Sequence, residues 1–142
     1  QALASVEQLL ATLDEGLVFV NLIETDQTYG HRKDVEGFAA ALGELDEHVA
    51  RWLSQMRERD LLIVTADHGV DPTHAGSDHT REYAPLLATT GDLQRARSAG
   101  RACGVRHDGP LADVGASVLR WLTGGEAQRL PGSPFVCERL LS

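Results

Sequence analysis

Asp26 and His31 stand five residues apart in the run Glu24-Thr25-Asp26-Gln27-Thr28-Tyr29-Gly30-His31. Asp67, His68 and Gly69 are consecutive, and His79 follows eleven residues after His68. Carboxylate and imidazole donors together suit borderline divalent ions such as Mn²⁺, Zn²⁺ or Fe²⁺. No thiolate belongs to the set, which argues against a Cys-rich structural zinc site. Five candidate ligands (Asp26, His31, Asp67, His68 and His79) exceed what one ion usually takes from protein, so the set suits a two-metal centre. Two ions about 3.5–4 Å apart clamp the attacking and leaving oxygens of a phosphoryl transfer. The competing reading makes each Asp or His a cap or turn residue; the joint pattern outweighs it.

The remaining candidates read as ordinary. His48 lies beside Glu44 and Glu47 in a helical stretch and is expected to face solvent. His74 and His107 read as loop residues. Cys103 and Cys137 read as small thiols and not as nucleophiles, since no proposed base lies near them in sequence. Glu24 is balanced between holding a ligating imidazole and simple exposure.

The positioning elements alternate in type. Ser5 to Leu13 has helical apolar spacing, closed by Gly16. Leu17 to Ile23 is a nearly continuous apolar run, the pattern of a strand buried on both faces. Asp34 is a cap for a helix whose stripe runs through Val35, Phe38, Leu42, Leu45, Val49, Trp52 and Met56. A turn at Arg57 to Asp60 precedes a second strand, Leu61 to Ala66. A third strand is expected around Tyr83 to Thr89, with Pro85 near an edge or at its start because proline cannot donate to a ladder. A short strand near Cys103-Gly104-Val105 is weaker, and Asp113 to Leu122 reads as a helix ended by Gly124-Gly125. This alternation implies an α/β domain with a mainly parallel sheet flanked by helices. Ligands would then gather beyond the strand ends.

Composition sets the frame. The 142 residues carry 21 Asp+Glu against 13 Lys+Arg, a net charge of −8, and 42% hydrophobic residues. This suits one globular domain. It excludes a nucleic-acid partner, which would need a basic face. No apolar run nears the roughly 20 residues that cross a bilayer, so no membrane partner is expected. The N-terminal Gln1 to Ser5 shows no signal-peptide pattern. Two cysteines make a reducing, cytoplasmic setting the expectation.

The segment Asn21 to Asp34 closely resembles part of the bacterial phosphopentomutases. So do Thr65 to Thr73, Gly76, Asp78-His79-Thr80-Arg81-Glu82-Tyr83 and Pro85-Leu86-Leu87. Leu111 to Ala116 and Gly132-Ser133-Pro134-Phe135 resemble that family's C-terminal end. The resemblance implies an alkaline phosphatase-like core. It implies interconversion of ribose or deoxyribose 1-phosphate and 5-phosphate through a phosphothreonine, over two Mn²⁺ ions and with a sugar bisphosphate activator. Asp26, His31 and His79 would bind one metal, and Asp67 and His68 the other. Nothing here matches the family's N-terminal Asp, its nucleophilic Thr or its sugar-binding cap domain. Glu24 stands where Asp is common in that family. The expectation is therefore a C-terminal metal-binding part, inactive by itself and open to self-association through apolar surface. Pentose phosphate would be the substrate of the parent enzyme.

Two other readings compete. The chain would be part of another alkaline phosphatase-like enzyme, such as a cofactor-independent phosphoglycerate mutase, or a free-standing metal-binding module without activity. The Tyr29-Gly30-His31-Arg32 and Asp78 to Tyr83 runs favour the pentose enzyme.

Overall fold

The structure, a computed structural model, describes residues 2–76, 78–100, 104–124 and 130–136. The chain divides into two compact units. One comprises Gln1–Gln55 with Ala66–Pro85, and the other Met56–Thr65 with Leu86–Ser142.

The first unit rests on two helices, α1 (Ala2–Thr12) and α2 (Val35–Gln55). Asp34 caps α2 as its type and place predict: its Oδ1 accepts a hydrogen bond from the Gly37 amide at 2.9 Å, satisfying a first-turn donor that has no partner within the helix. The stripe along α2 brings Trp52 to 8% exposure, and Val6 of α1 to 6%. Leu42 and Val35, at 45% each, lie at the margin of that stripe. Between the helices the chain forms a π-helical segment, Glu24–Gly30.

The run Leu17 to Ile23 is not a strand. No strand among the described residues pairs with it, and an apolar run becomes a strand only where a neighbour takes its backbone groups. Phe19 is 84% exposed and Leu17 58%.

The second unit holds β1 (Leu61–Thr65) and β2 (Leu86–Thr90). The strand expected at Leu61 to Ala66 is thus present, whereas the third strand begins at Leu86, just past Pro85. The two strands pair antiparallel, Leu61 opposite Thr90 and Thr65 opposite Leu86. This departs from the expected mainly parallel sheet. A parallel return needs a crossover, usually helical, of a dozen or more residues. The connection from Ala66 to Pro85 carries no helix among its described residues, and it brings the chain back from the end it left.

Two helices follow, α3 (Gly91–Ser98) and α4 (Ala112–Thr123). Thr90, 1% exposed, starts α3: its Oγ1 accepts from the Leu93 amide at 3.2 Å. Helix α4 matches the sequence reading and ends at Gly124, whose φ of 68° is left-handed. Gly104 and Val105 form no strand. Cys103 and Cys137 lie outside the described residues. Ala116, Val136 and the polar pair Asp113 and Ser117 make the buried centre of this unit. Among the described residues no helix is long and apolar enough to cross a membrane.

Candidate metal centre

All five proposed ligands lie in the first unit. Asp26 sits inside the π-helical segment and His31 just after it. Their spacing and the local backbone agree. The His31 amide donates to the Asp26 carbonyl at 2.9 Å, a five-residue hydrogen bond of the π type, wider than an α-turn. A five-residue separation thereby becomes adjacency. Gly30 makes the turn possible. A Cβ there would meet Val70 Cγ2 at 2.7 Å and the Thr25 carbonyl at 3.0 Å.

His79 joins them from the loop that follows Asp67-His68-Gly69. One donor atom from each of Asp26, His31 and His79 lies within 4.8 Å of the others. His31 Nε2 is 3.5 Å from Asp26 Oδ2, and His79 Nε2 is 3.6 Å from Asp26 Oδ1. Ordinary hydrogen bonds are shorter, about 2.7–3.2 Å. Donors about 2.0–2.1 Å from a shared ion, at angles of about 90–110°, stand about 2.9–3.4 Å apart. The observed gaps are close to that.

Asp26 Oδ1 is also buried without a hydrogen-bond partner. A carboxylate oxygen in that position carries a desolvation cost that only a cation or a donor offsets. Three convergent donors and an unsatisfied anionic oxygen together fit a divalent cation.

The other two proposed ligands stand differently. His68 stacks on His79, with ring centroids 3.6 Å apart and planes inclined by 18°. It is therefore at the edge of the cluster. Asp67 lies 3.6 Å from His68 Nε2 through its Oδ1, and its side chain is 80% exposed. The structure thus gathers Asp26, His31 and His79, sets His68 against them, and leaves Asp67 beside His68 and open to water.

Two histidines depart from their reading. His48 does not face solvent: its side chain is 15% exposed, and Nδ1 lies 2.9 Å from Glu7 Oε1. Its helical position points it at α1, which sequence spacing on α2 alone did not reveal. His107 is not incidental either. Its Nε2 lies 2.9 Å from Asp113 Oδ2, in the second unit. His74 is an exposed loop residue as expected, with its carbonyl accepting from Lys33 Nζ at 3.0 Å. Glu24 is exposed. The Gly69 carbonyl accepts from the Thr80 amide at 3.2 Å and lies 3.2 Å from His68 Nδ1; a backbone group leaves no residue-type signal in the sequence.

The family model described as "Metalloenzyme superfamily" matches residues 1–123. A phosphopentomutase of Caldanaerobacter subterraneus subsp. tengcongensis is 44% identical over 81% of this chain and 28% of its own length. One from Lachnoclostridium phytofermentans is 40% identical over 87% of this chain and 30% of its own length. One from Anaeromyxobacter sp. is 46% identical over 82% of this chain and 28% of its own length. The chain therefore spans under a third of the length of these curated relatives. With a match covering most of its length, and with three side chains able to hold a metal ion converging inside the matched region, the chain belongs to the metalloenzyme superfamily.

Proposed function

We propose that this chain is the metal-binding part of a phosphopentomutase, an enzyme that interconverts pentose 1-phosphates and 5-phosphates. The single observation that carries the reading is the convergence of Asp26, His31 and His79 around an unsatisfied buried carboxylate oxygen. The similarity to three phosphopentomutases across most of the chain supplies the reaction class.

In this reading Asp26, His31 and His79 hold one divalent cation, with Mn²⁺ the expected ion. Asp67 and His68 contribute to a second. When bound, two such cations stabilise charge on the oxygens of a transferring phosphoryl group. The chain's own residues do the holding. Asp26 supplies the negative charge, and its π-turn fixes the distance to His31. His79 closes the set from the neighbouring loop. No residue here matches a phosphoryl-accepting threonine, so the phosphothreonine step falls to residues beyond these 142. The same holds for the groups that grip the pentose phosphate and the sugar bisphosphate activator.

The test uses two proteins. The 142-residue chain is expected to bind Mn²⁺ and to show no interconversion of ribose 1-phosphate and ribose 5-phosphate, with or without a sugar bisphosphate. A full-length phosphopentomutase carrying these residues in place of its own equivalent stretch is expected to turn over, and to lose turnover on His79→Ala. Inactivity of that full-length protein on pentose phosphates, with activity on phosphoglycerate, would assign the chain to a different mutase.

A further inference from the structure

We propose that the Gly69 carbonyl is the shared anchor that aims the imidazoles of His68 and His79. This deepens the metal-binding reading above and rests on it. Gly69 O accepts a hydrogen bond from the Thr80 amide at 3.2 Å, and Gly69 and Thr80 form an isolated antiparallel bridge. His68 Nδ1 lies 3.2 Å from the same oxygen. Each histidine is the residue just before one partner of the bridge. Their rings meet face to face, with centroids 3.6 Å apart.

Chemistry fixes the direction of the His68 contact. A carbonyl oxygen only accepts, so Nδ1 must carry the proton. Nε2 then keeps its lone pair, the state a metal-ligating imidazole requires. One backbone oxygen thus sets the tautomer of His68 and the loop position of His79.

Only glycine permits this approach. A Cβ at Gly69 would sit 2.6 Å from the Glu82 carbonyl oxygen and 3.0 Å from the Glu82 amide nitrogen. Both are backbone atoms and neither swings aside as a side chain does. Adding one methyl group pushes the 69–70 backbone away from 80–82 and parts the carbonyl from Thr80. Gly69 is a positioning residue: it would touch no ion and would act through two side chains that do.

Imidazole ¹⁵N shifts of the metal-free 142-residue chain, at about pH 8 where an ordinary histidine is neutral, read the tautomer without any ion. His68 is expected as the Nδ1–H form. Finding it as Nε2–H, or as the mixture seen in free histidine, overturns the proposal, and this arm needs no variant. Gly69→Ala is the second arm, followed by Mn²⁺ titration with an electron-paramagnetic-resonance readout. A folded Gly69→Ala chain is expected to show mixed His68 tautomers and a fall in affinity of about 10–100-fold, the usual scale for groups behind the ligands. A folded variant with parental affinity and a pure Nδ1–H tautomer overturns the proposal. If the parent chain binds no Mn²⁺, the metal-binding reading fails, while the tautomer result still judges the anchor separately.

Discussion

His79 Nε2 faces Asp26 Oδ1 across 3.6 Å, and that oxygen is buried with no hydrogen-bond partner. A folded chain retains such an arrangement only at a cost to its own stability. This separates a ligand from a structural residue. Asp26→Asn keeps the shape and removes the charge. Its Mn²⁺ affinity is expected to fall about 100-fold or more, since outer groups alone cost about 10–100-fold. The urea midpoint of the metal-free variant is expected to stay level or rise, because the unsatisfied anionic oxygen is gone. Calorimetric titration and equilibrium unfolding read the two effects. Loss of stability with retained affinity would make Asp26 a structural residue.

The second unit offers the opposite pattern. Asp113 is 3% exposed, and its carboxylate is shared between His107 Nε2 at 2.9 Å and the Ser133 amide at 2.7 Å. One turn along α4, Ser117 Oγ accepts from the Phe135 amide at 2.9 Å. These contacts tie the 133–135 backbone to the helix. His107→Ala strips one partner from a buried carboxylate. It is expected to destabilise the chain by about 1–3 kcal/mol and to leave Mn²⁺ affinity unchanged. Thermal unfolding and metal titration check both halves.

Where side-chain type alone decides, the sequence was readable. Asp34 announces a helix start, the alternating three- and four-residue apolar steps place Trp52 inward, and Gly124 stops α4. Donor chemistry singled out five residues, and the family resemblance grouped Asp26, His31 and His79 among them; the structure brings those three together. What escaped needs information from outside the local run. Strand direction is not written into Leu61 to Thr65, whose residues suit either pairing. Leu17 to Ile23 has strand composition and no strand partner among the described residues. The π-turn at Glu24–Gly30 has no residue signature, although it explains why Asp26 and His31 need a separation of five. Helix α3 was hidden because its start depends on Thr90 Oγ1, which also belongs to a strand end.

Asp34 allows a clean test of local capping. Asp34→Ala removes the acceptor for the Gly37 amide. The expected loss is about 0.5–2 kcal/mol, with Asp34→Asn or Asp34→Ser restoring most of it. Urea unfolding followed by far-ultraviolet circular dichroism measures it. An Ala variant as stable as the parent would mean that packing alone fixes the start of α2.

Acid stability is expected to depend on Glu7. The Arg51 guanidinium, hydrogen-bonded to Glu7 Oε1 at 3.1 Å, holds this carboxyl below its ordinary 4.5. Desolvation works the other way, and the smaller His48 contact adds to the lowering. A carboxyl lowered in the folded state contributes stability above its unfolded pKa and loses it as pH falls through the folded one. The tie between α1 and α2 is therefore intact at neutral pH and lost in the acid range below 4.5. Glu7→Gln is expected to melt earlier than the parent near neutrality and together with it at the acid end. Melting midpoints across that range decide; a constant difference would assign the effect to something other than the Glu7 charge.

One cation held by Asp26, His31 and His79 is the central expectation. A crystal structure of the chain grown with Mn²⁺, with anomalous difference maps at the manganese edge, tests it most directly. The expected result is an anomalous peak within bonding distance of an Asp26 carboxylate oxygen and the Nε2 atoms of His31 and His79. Manganese found only elsewhere on the chain, with these three side chains in direct contact with one another and no peak between them, would contradict it.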